Sequence, residues 1–567
     1  MGTLDERVAQ TLGELTLEEK VGQLFVTYVY GQDAERSTPA NAARNRDSFG
    51  AEAPGDIVRR YGVGGVIYFG WSDNLGTPVQ IARLSNGLQR AAVEDSRTGI
   101  PLLVSVDQEQ GAVVRLGPPF TELPGNMALG ATRRAKDAYR AAVVTGRELR
   151  AVGINHDHAP DVDVAVNPHN PVIGVRSYGS DPRLVSRLAV AQLSGYADGG
   201  VIATAKHFPG HGDTETDSHV GVPVISHTRA EWERIDAPPF RAVIEAGADT
   251  VMTAHIVVPA LDPSGDPATL SAPILTGILR EELGFDGVIC TDSLRMQGVR
   301  MRERDEQIPV RALLAGADQL LMPEDLELAW NAVLDAVRAG KLSEQRIDES
   351  VARVLRLKYA HGLFEQPYVD ETEVIKSVGT GRHTRSADRI SDRGVTLVRD
   401  DAGAVPVAGD ERVVVTGGAD AGSYVLAGEL EGRGRSAHVV RADATAPDRA
   451  AAAAEQAGER GLVVVLHGRN ADGGSGAEEA VVRGLVERGS RVAVVAVRDP
   501  ADLAAVDAPT MLLTYNDSAV SMRALARVLV GEVQPRGRLP VAVPAAGEGE
   551  MFGYGHGLNG TATRQGH

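Results

Sequence analysis

The sequence predicts an α/β protein: a (β/α)8 TIM-like barrel followed by a smaller doubly wound α/β sandwich domain. Eight short apolar runs alternate with longer stretches of helical periodicity through the first two thirds of the 567 residues. A second, shorter series of the same kind begins after about residue 379. Strand–helix alternation produces parallel sheets, and eight repeats of it suggest a barrel.

The eight runs are the predicted barrel strands. They cover Gly22–Tyr28, Gly64–Phe69, Leu102–Val106, Ile154–Ala159, Ile202–His207, Thr250–Ala254, Gly287–Thr291 and Gln319–Met322. Helical spacing between them is clear in Ala135–Val152, Arg183–Asp198 and Thr228–Ala246. A polar insertion with little periodicity, Gly31–Asp56, follows the first run and is predicted as a loop on the face that carries the chemistry.

Polar residues follow most of these runs at the point where each run ends. They are Asp107, Asp161, Asp163, Lys206, His207, His255 and Asp292. In a barrel the carboxyl ends of all strands meet on one face, and that face carries the active site. The positions of these residues therefore support the barrel and predict a site at that face.

The second series predicts five parallel strands with intervening helices. The strands are Arg412–Thr416, His438–Ala442, Leu462–His467, Val492–Val497 and Met511–Tyr515, and the helices include Pro447–Arg460 and Gly476–Arg488. We therefore expect a barrel domain over residues 1–378, a polar linker over 379–398, a sandwich domain over 399–557 and a tail over 558–567.

Composition and charge exclude several classes of protein. Lys and Arg number 58 against 76 Asp and Glu, which gives a formal net charge of −18 and argues against a nucleic-acid partner. The only cysteine is Cys290, so an internal disulfide is impossible. The first twenty residues carry charges throughout and resemble no export signal, and no apolar run is long enough for a bilayer. We expect a cytoplasmic protein without a membrane partner.

The densest polar cluster is KHFPGHGDTETDSH, residues 206–219. Its glycines and proline predict a shaped loop after a buried strand. One interpretation is a zinc site in which His207, His211 and His219 converge, although the spacing matches no HExxH-type pattern. The other is acid–base catalysis, because Asp217 lies two residues from His219 and can fix the tautomer of its imidazole.

The second cluster is GVICTDSLRM, residues 287–296. Asp292 follows an apolar strand directly, which makes it a candidate nucleophile or metal ligand. The alternative is a structural one, in which Asp292 caps the next helix.

Together these two segments closely resemble bacterial β-N-acetylglucosaminidases of glycoside hydrolase family 3. Other segments agree in order along the chain: VDQEQGAVVRL at 106–116, VIGVRSYG at 172–179, MTAHIVVPALD at 252–262, PATLS before LREELGFDGVI, and GRLPVAVP and FGYGHGL near the end. The resemblance thus spans nearly the whole chain and implies a barrel followed by an α/β sandwich.

The resemblance also implies roles for individual residues. Asp292 would be the nucleophile and His219 the general acid–base, oriented by Asp217. The terminal N-acetylglucosamine would be bound by Asp107, Arg115, Arg176, Lys206 and His207. No metal and no cofactor are implied. Gln110 and Ala112 depart from the family's usual D-Q-E-G-G-R motif at the rim of the sugar pocket.

We therefore expect a retaining, exo-acting β-N-acetylglucosaminidase whose partner is an N-acetylglucosamine-containing saccharide, a muropeptide or a chitooligosaccharide. Four alternatives stay open. Phosphate could replace water as the acceptor, or the 2-acetamido group could attack while Asp292 only orients it. The chain could also be a β-glucosidase of the same family, or a sugar-binding module that has lost catalysis.

Overall fold

The first domain is an eight-stranded parallel barrel. The computed structural model describes residues 2–418, 420–468 and 476–559. The barrel strands are β1 (Phe25–Thr27), β2 (Gly65–Ile67), β3 (Leu103–Val106), β4 (His156–Asp157), β5 (Ile202–Phe208), β6 (Thr250–Thr253), β7 (Val288–Cys290) and β8 (Leu320–Leu321). Neighbours pair in parallel in the order β7-β6-β5-β4-β3-β2-β1-β8. One parallel bridge between Cys290 and Gln319 joins the two ends, so the ring is nearly closed.

All eight predicted strands are confirmed, seven with shorter bounds than the apolar runs and β5 one residue longer. The predicted run Gly22–Tyr28 begins too early, because Gly22 and Gln23 are the last two residues of a helix. The barrel strands are almost fully buried, and Val26, Val104, Val251 and Ile289 belong to the apolar core of the first domain. Ligand sites of such barrels lie at the carboxyl ends of the strands.

Helices surround the barrel. They are α1 (Leu4–Glu14), α2 (Leu17–Gln23), α3 (Pro39–Phe49), α4 (Pro54–Tyr61), α5 (Pro78–Val93), α6 (Asn126–Thr132), α7 (Ala135–Ala151), α8 (Pro182–Gly199), α9 (Arg229–Ile235), α10 (Ala237–Glu245), α11 (Gln297–Arg300), α12 (Ile308–Ala315), α13 (Leu326–Arg338), α14 (Glu344–Ala360) and α15 (Val374–Ser377). Pro273–Glu282 is a π-helix, and Gly174–Arg176 and Ala268–Leu270 are short 3₁₀ turns. The predicted helix Thr228–Ala246 is two helices that meet at Asp236.

The insertion predicted as a loop, Gly31–Asp56, contains a helix. Thr38 caps the amide of Asn41 and Pro39 occupies the first turn of α3, which are typical signals of a helix start. The helix packs through Phe49, which is buried against Tyr28 with ring centroids 5.1 Å apart. The prediction was wrong because only a few residues of this short helix face the core, so its apolar periodicity is weak.

The segment predicted as a linker, 379–398, is also structured. Helix α16 (Gly381–Gly394) starts at Thr380, whose hydroxyl accepts from the amide of His383, and strand β9 (Thr396–Asp400) follows. The helix is polar because only a narrow stripe of it is buried, including Ala387 and Ile390. Its polar residues bind the first domain: Arg393 forms a bidentate pair with Asp137. The connection is thus a packed element.

The second domain contains a six-stranded sheet with helices on both faces. Its strands are β9, β10 (Val413–Gly417), β11 (Ala437–Val439), β12 (Leu462–His467), β13 (Arg491–Ala496) and β14 (Thr510–Leu513), in the order β11-β10-β12-β13-β14-β9. The helices are α17 (Asp420–Glu431), α18 (Ala446–Ala457), α19 (Gly476–Glu487) and α20 (Ala519–Leu529), with a 3₁₀ turn at Pro500–Ala505. A hairpin, β15 (Val543–Pro544) and β16 (Glu550–Phe552), completes it. The five predicted strands are confirmed. Strand β9, which pairs antiparallel with β14 at the edge of the sheet, was not predicted.

The two domains share a core. All seven residues of α6 are buried, and Met127, Ala128 and Ala131 belong to the apolar cluster of the second domain. Among the described residues, no helix is long and apolar enough to cross a membrane. The predicted tail lies outside the described residues from position 560 onward.

Candidate active site

A cavity of about 730 Å³ opens at the carboxyl ends of the barrel strands. Its lining includes Ile67, Phe69, Gly70, Trp71, Asp107, Glu109, Val113, Val114, Arg115, Val172, Arg176, Lys206, His207, His211, Ser218, His219, Met252, Asp292, Ser293, Arg295, Met296, Leu321 and Met322. The residues to which the resemblance assigns a role are all among them except Asp217, which contacts His219. Asp161, Asp163 and His255, which also follow strand ends, do not line the cavity. The lining comes from the barrel domain, as the positions of the candidate residues along the sequence predicted.

The closed end of the cavity is a network of charged side chains. Arg176 donates from Nε and Nη2 to the two carboxylate oxygens of Glu109, both at 2.9 Å. Lys206 Nζ lies 2.7 Å from Glu109 Oε1 and 3.3 Å from Asp107 Oδ1. Arg115 approaches the other oxygen of Asp107 at 3.7 Å. The network holds long side chains in fixed positions, which is what ordered hydrogen bonding to sugar hydroxyls requires.

The charges in this network stabilise one another. Burial disfavours ionisation of Glu109, but the adjacent Arg176 and Lys206 more than offset it and hold the pKa of the Glu109 carboxyl well below its usual range. The same pairing raises the pKa of Lys206 against the effect of burial, so its ammonium stays charged. Glu109 was not predicted as a site residue, although it lies in the segment VDQEQGAVVRL, because its two buried cationic partners, Arg176 and Lys206, are distant in sequence.

We expect Glu109→Gln to destabilise the protein and to weaken substrate binding. The side chain of Glu109 is 2% exposed, so loss of its charge leaves Arg176 and Lys206 buried without the carboxylate that they share. Removing one partner of a buried ion pair costs about 3–5 kcal/mol. Urea unfolding should show that loss, while Glu455→Gln, an exposed control on α18, should unfold like the parent. An unchanged midpoint for Glu109→Gln would contradict this account of the network.

His207 is positioned by a carboxylate behind it. Its Nδ1 lies 2.8 Å from Asp163 Oδ2, and the amide of His211 donates to Asp163 Oδ1 at 2.6 Å. Burial lowers the pKa of His207 well below its usual value, with Arg176 and Lys206 acting in the same direction, so the imidazole is neutral. Because the neutral ring donates from Nδ1 to Asp163, its Nε2 carries no proton and can accept from Arg176 Nη2, 3.3 Å away.

The three histidines of the alternative zinc interpretation have other partners. His207 pairs with Asp163, and His211 contacts Thr214 Oγ1 at 2.8 Å and Ser218 Oγ at 3.1 Å. A different set, Asp161, Asp163 and His207, brings ligand atoms within 4.8 Å of one another. The guanidinium of Arg176 lies 3.7 Å from Asp161 Oδ2, so this set already faces a positive charge. A site without metal stays the prediction.

Asp292 lies at the cavity wall directly after β7. Its Oδ1 accepts from the amide of Ser293 at 2.7 Å. Burial would raise the pKa of its carboxyl, but the hydrogen bond from the Ser293 amide and the polar surroundings, which include the rings of His207 and His255, hold that pKa below its usual value. A carboxylate that is ionised and fixed by one oxygen offers its other oxygen to a bound molecule. The structural alternative does not apply, because the nearest helix, α11, begins only at Gln297.

His219 and Asp217 lie on the loop above the cavity. His219 Nδ1 is 2.7 Å from Asp217 Oδ1, which also accepts from the His219 amide at 2.8 Å. These two hydrogen bonds outweigh the effect of burial and lower the pKa of Asp217, so its carboxylate is ionised. The imidazole is 62% exposed, and its Nε2 is the nitrogen left for proton transfer. The loop is fastened on its other side, where the amide of Gly298 donates to the carbonyl of Ser218 at 2.9 Å.

One of the two departures at the rim, Gln110, has a structural consequence. Gln110 has a φ of 68°, a left-handed conformation in which glycine, the usual residue of the motif, costs nothing. Its side chain offsets that strain by donating to Thr145 Oγ1 at 3.1 Å and accepting from the amide of Leu123 at 3.3 Å. The neighbouring Gly111 must stay glycine, because a Cβ there would lie 2.5 Å from Gly125 Cα. Asp107 and Arg115 keep their positions in the cavity.

The second domain supports one wall of the site. A second cavity of about 610 Å³ lies between the domains, lined on one side by Val172–Arg176 and on the other by residues such as Arg498 and Asn516. Val172 and Arg176 line both cavities, so this segment separates the site from the second domain.

Comparisons with known proteins agree with this geometry. Residues 16–357 match the glycosyl hydrolase family 3 N terminal domain, and residues 395–560 match the glycosyl hydrolase family 3 C-terminal domain. Beta-hexosaminidase A of Pseudoalteromonas piscicida is 34% identical over 424 residues, 70% of this chain and 70% of that one.

Two solved structures resemble the whole chain. A glycoside hydrolase family 3 β-N-acetylglucosaminidase from Paenibacillus sp. str. FPU-7 is 38% identical with a TM-score of 0.83, covering 93% of this chain and 99% of that one. A β-glucoside phosphorylase is 25% identical with a TM-score of 0.81, covering 95% and 96%. The two matching domain models, the aligned relatives and the cavity at the strand ends agree: the chain belongs to glycoside hydrolase family 3.

Proposed function

We propose that this protein is a retaining, exo-acting β-N-acetylglucosaminidase that releases terminal non-reducing N-acetylglucosamine through a covalent glycosyl-aspartate. The observation that carries the proposal is that an ionised aspartate, Asp292, and an exposed imidazole backed by a carboxylate, His219, line one cavity. Two displacements at one carbon need a nucleophile and a group that can give and take a proton.

In the first step Asp292 forms a bond to the anomeric carbon. Oδ1 of the carboxylate accepts the hydrogen bond from the Ser293 amide. The free oxygen, Oδ2, therefore attacks the anomeric carbon while the bond from that carbon to the aglycone oxygen breaks. The leaving oxygen takes the proton of His219 Nε2, and the departing group leaves as a neutral alcohol. Asp217 stabilises the imidazolium before the transfer, as its 2.7 Å contact with Nδ1 allows.

In the second step the neutral imidazole acts as the base. His219 Nε2 takes a proton from water, the water oxygen attacks the anomeric carbon, and the bond to Asp292 breaks. The product keeps its configuration because the carbon has been inverted twice. A group on a loop can approach the leaving oxygen in the first step and then make room for water in the second.

The charged network at the closed end supports binding of one terminal sugar. We propose that Asp107, Arg115, Arg176, Lys206 and His207 bind its hydroxyl and acetamido oxygens. Glu109 and Asp163 fix Arg176, Lys206 and His207 before substrate arrives, which lowers the entropic cost of binding. A cavity that ends in such a network accommodates a chain end, which favours exo action on a muropeptide or a chitooligosaccharide.

Phosphorolysis is the second candidate function. An imidazole acid–base carries no negative charge that would repel phosphate, and Arg115 and Arg295 line the cavity as cations. One structural neighbour is described as a β-glucoside phosphorylase. Phosphate attacking the glycosyl-aspartate would give N-acetylglucosamine 1-phosphate in place of the free sugar.

An assay of the purified protein separates these candidates. We expect turnover of 4-nitrophenyl β-N-acetylglucosaminide with free N-acetylglucosamine as product, and much slower turnover of the β-glucoside. Added inorganic phosphate should change neither rate nor product, as followed by nitrophenol release and chromatography. Formation of the sugar 1-phosphate would establish the phosphorylase instead, faster turnover of the glucoside would establish a β-glucosidase, and the absence of any turnover would contradict a catalytic role.

A further inference from the structure

Four aromatic side chains, Tyr28, Tyr30, Phe69 and Trp71, pack together at the edge of the cavity, and we call them the aromatic shelf. The rings of Phe69 and Trp71 are stacked, with centroids 4.9 Å apart and planes 23° apart. Tyr28 and Tyr30 meet Trp71 edge-on at 5.0 and 6.0 Å. Trp71 lines the cavity and yet is 48% exposed, so one side of its indole is packed and the other is open.

The shelf is held rigidly by its surroundings. Asn74, in the loop that carries Trp71, donates through Nδ2 to the carbonyls of Val29 and Gly31 at 3.0 and 2.9 Å. Asn45 of the insertion helix α3 bonds both the amide and the carbonyl of Tyr30, at 2.9 and 2.8 Å. The insertion therefore supports the shelf, and Trp71 is positioned before any ligand arrives.

The shelf lies at the open end of the cavity. Of the groups proposed to bind the terminal sugar, Lys206 and His207 are deeply buried, with side chains 3% and 6% exposed. The shelf borders two half-exposed cations, because Arg115 lies 5.7 Å above Phe69 and Arg295 lies 5.3 Å above Tyr28. Arg295 is three residues from Asp292, the proposed nucleophile. The shelf therefore lies next to the expected position of the scissile bond, on the side away from the terminal-sugar pocket.

A flat, open aromatic face surrounded by hydrogen-bond donors fits the ring of a sugar. One face of a β-linked pyranose carries mainly C–H groups, which bury apolar area against an indole, while its hydroxyls at the edge accept from Arg295. We propose that Trp71 binds the pyranose ring on the acceptor side of the scissile bond, so that the enzyme favours substrates with a sugar aglycone. This inference rests on the proposed function and names the substrate class of the same site.

The test compares two alkyl glycosides that differ in the aglycone ring: N,N′-diacetylchitobiose and methyl β-N-acetylglucosaminide. We expect Trp71→Ala to lower kcat/KM for the disaccharide by roughly 10- to 100-fold, because binding energy from the remote ring is lost. The same variant should keep kcat/KM for the methyl glycoside within about twofold of the parent. Trp71→Phe, which restores a flat ring, should recover most of the loss on the disaccharide.

Tyr424→Ala is the matched control, since Tyr424 is an aromatic residue of the second domain that is 50% exposed. It should leave both glycosides unaffected. An unchanged kcat/KM for the disaccharide in Trp71→Ala would overturn the inference, and so would an equal loss on both glycosides, which would make Trp71 part of the terminal-sugar pocket. Failure of the parent protein to cleave either glycoside would contradict the proposed function itself.

Discussion

Replacement of Asp292 by alanine is expected to lower kcat by roughly 10⁴-fold or more on every β-N-acetylglucosaminide, because the reaction loses its nucleophile. Small anions should partly restore turnover by entering the space that the carboxylate leaves. With azide, the product should be the α-glycosyl azide, since only one displacement then takes place at the anomeric carbon. Product configuration can be read by proton NMR.

Asp335→Asn is the control for this experiment, because Asp335 lies exposed on α13 away from the cavity. It should keep full activity. A loss of less than tenfold in Asp292→Ala, or an azide product of β configuration, would contradict the role of Asp292 as nucleophile. The second result would instead favour attack by the 2-acetamido group, which also involves two displacements.

Replacement of His219 by alanine is expected to act selectively on substrates with poor leaving groups. General acid catalysis contributes about 10²–10⁴-fold, and kcat/KM for alkyl-like aglycones should fall within that range. Nitrophenyl glycosides need little protonation and should lose far less. A plot of log kcat/KM against the leaving-group pKa should therefore be much steeper for the variant than for the parent protein.

Asp217→Asn should give a partial version of the same pattern, because the imidazole stays but its imidazolium and its tautomer lose support. His438→Ala, at an exposed position of β11, is the control and should leave the plot unchanged. Equal loss on all substrates, or recovery of activity with added divalent metal, would make His219 a binding or metal-ligating residue.

Much of the fold could be predicted because the strands are short, apolar and regularly spaced. Every predicted strand is found, and the core they form accounts for their sequence. Three elements that were not predicted are helix α3, helix α16 and the edge strand β9. Helices α3 and α16 bury only a minority of their residues, so their apolar pattern is thin, and contacts distant in sequence, such as Arg393 with Asp137, stabilise them. Strand β9 has three buried residues followed by the half-buried polar Arg399 and Asp400, and it begins within the segment predicted as a polar linker.

The candidate site could be predicted where residues follow strand ends, and the structure brings those residues together. It could not be predicted where a side chain acts through a distant partner. Glu109 bonds Arg176 and Lys206 across three barrel strands, and Asp163 orients His207 from behind. The role proposed for Trp71 in binding a sugar depends on the packing of its loop against the residues that follow β1, which the sequence alone does not show.

The most direct test of the proposed mechanism is to trap the glycosyl-enzyme. The reagent is 5-fluoro-N-acetylglucosaminyl fluoride, which keeps the acetamido group, loses fluoride readily and slows the second step. After brief incubation and proteolysis, mass spectrometry should find one added fluorosugar on the peptide that contains Asp292, and none in Asp292→Ala. An adduct on another residue, or the absence of any adduct while the reagent is turned over, would contradict a covalent glycosyl-aspartate at Asp292.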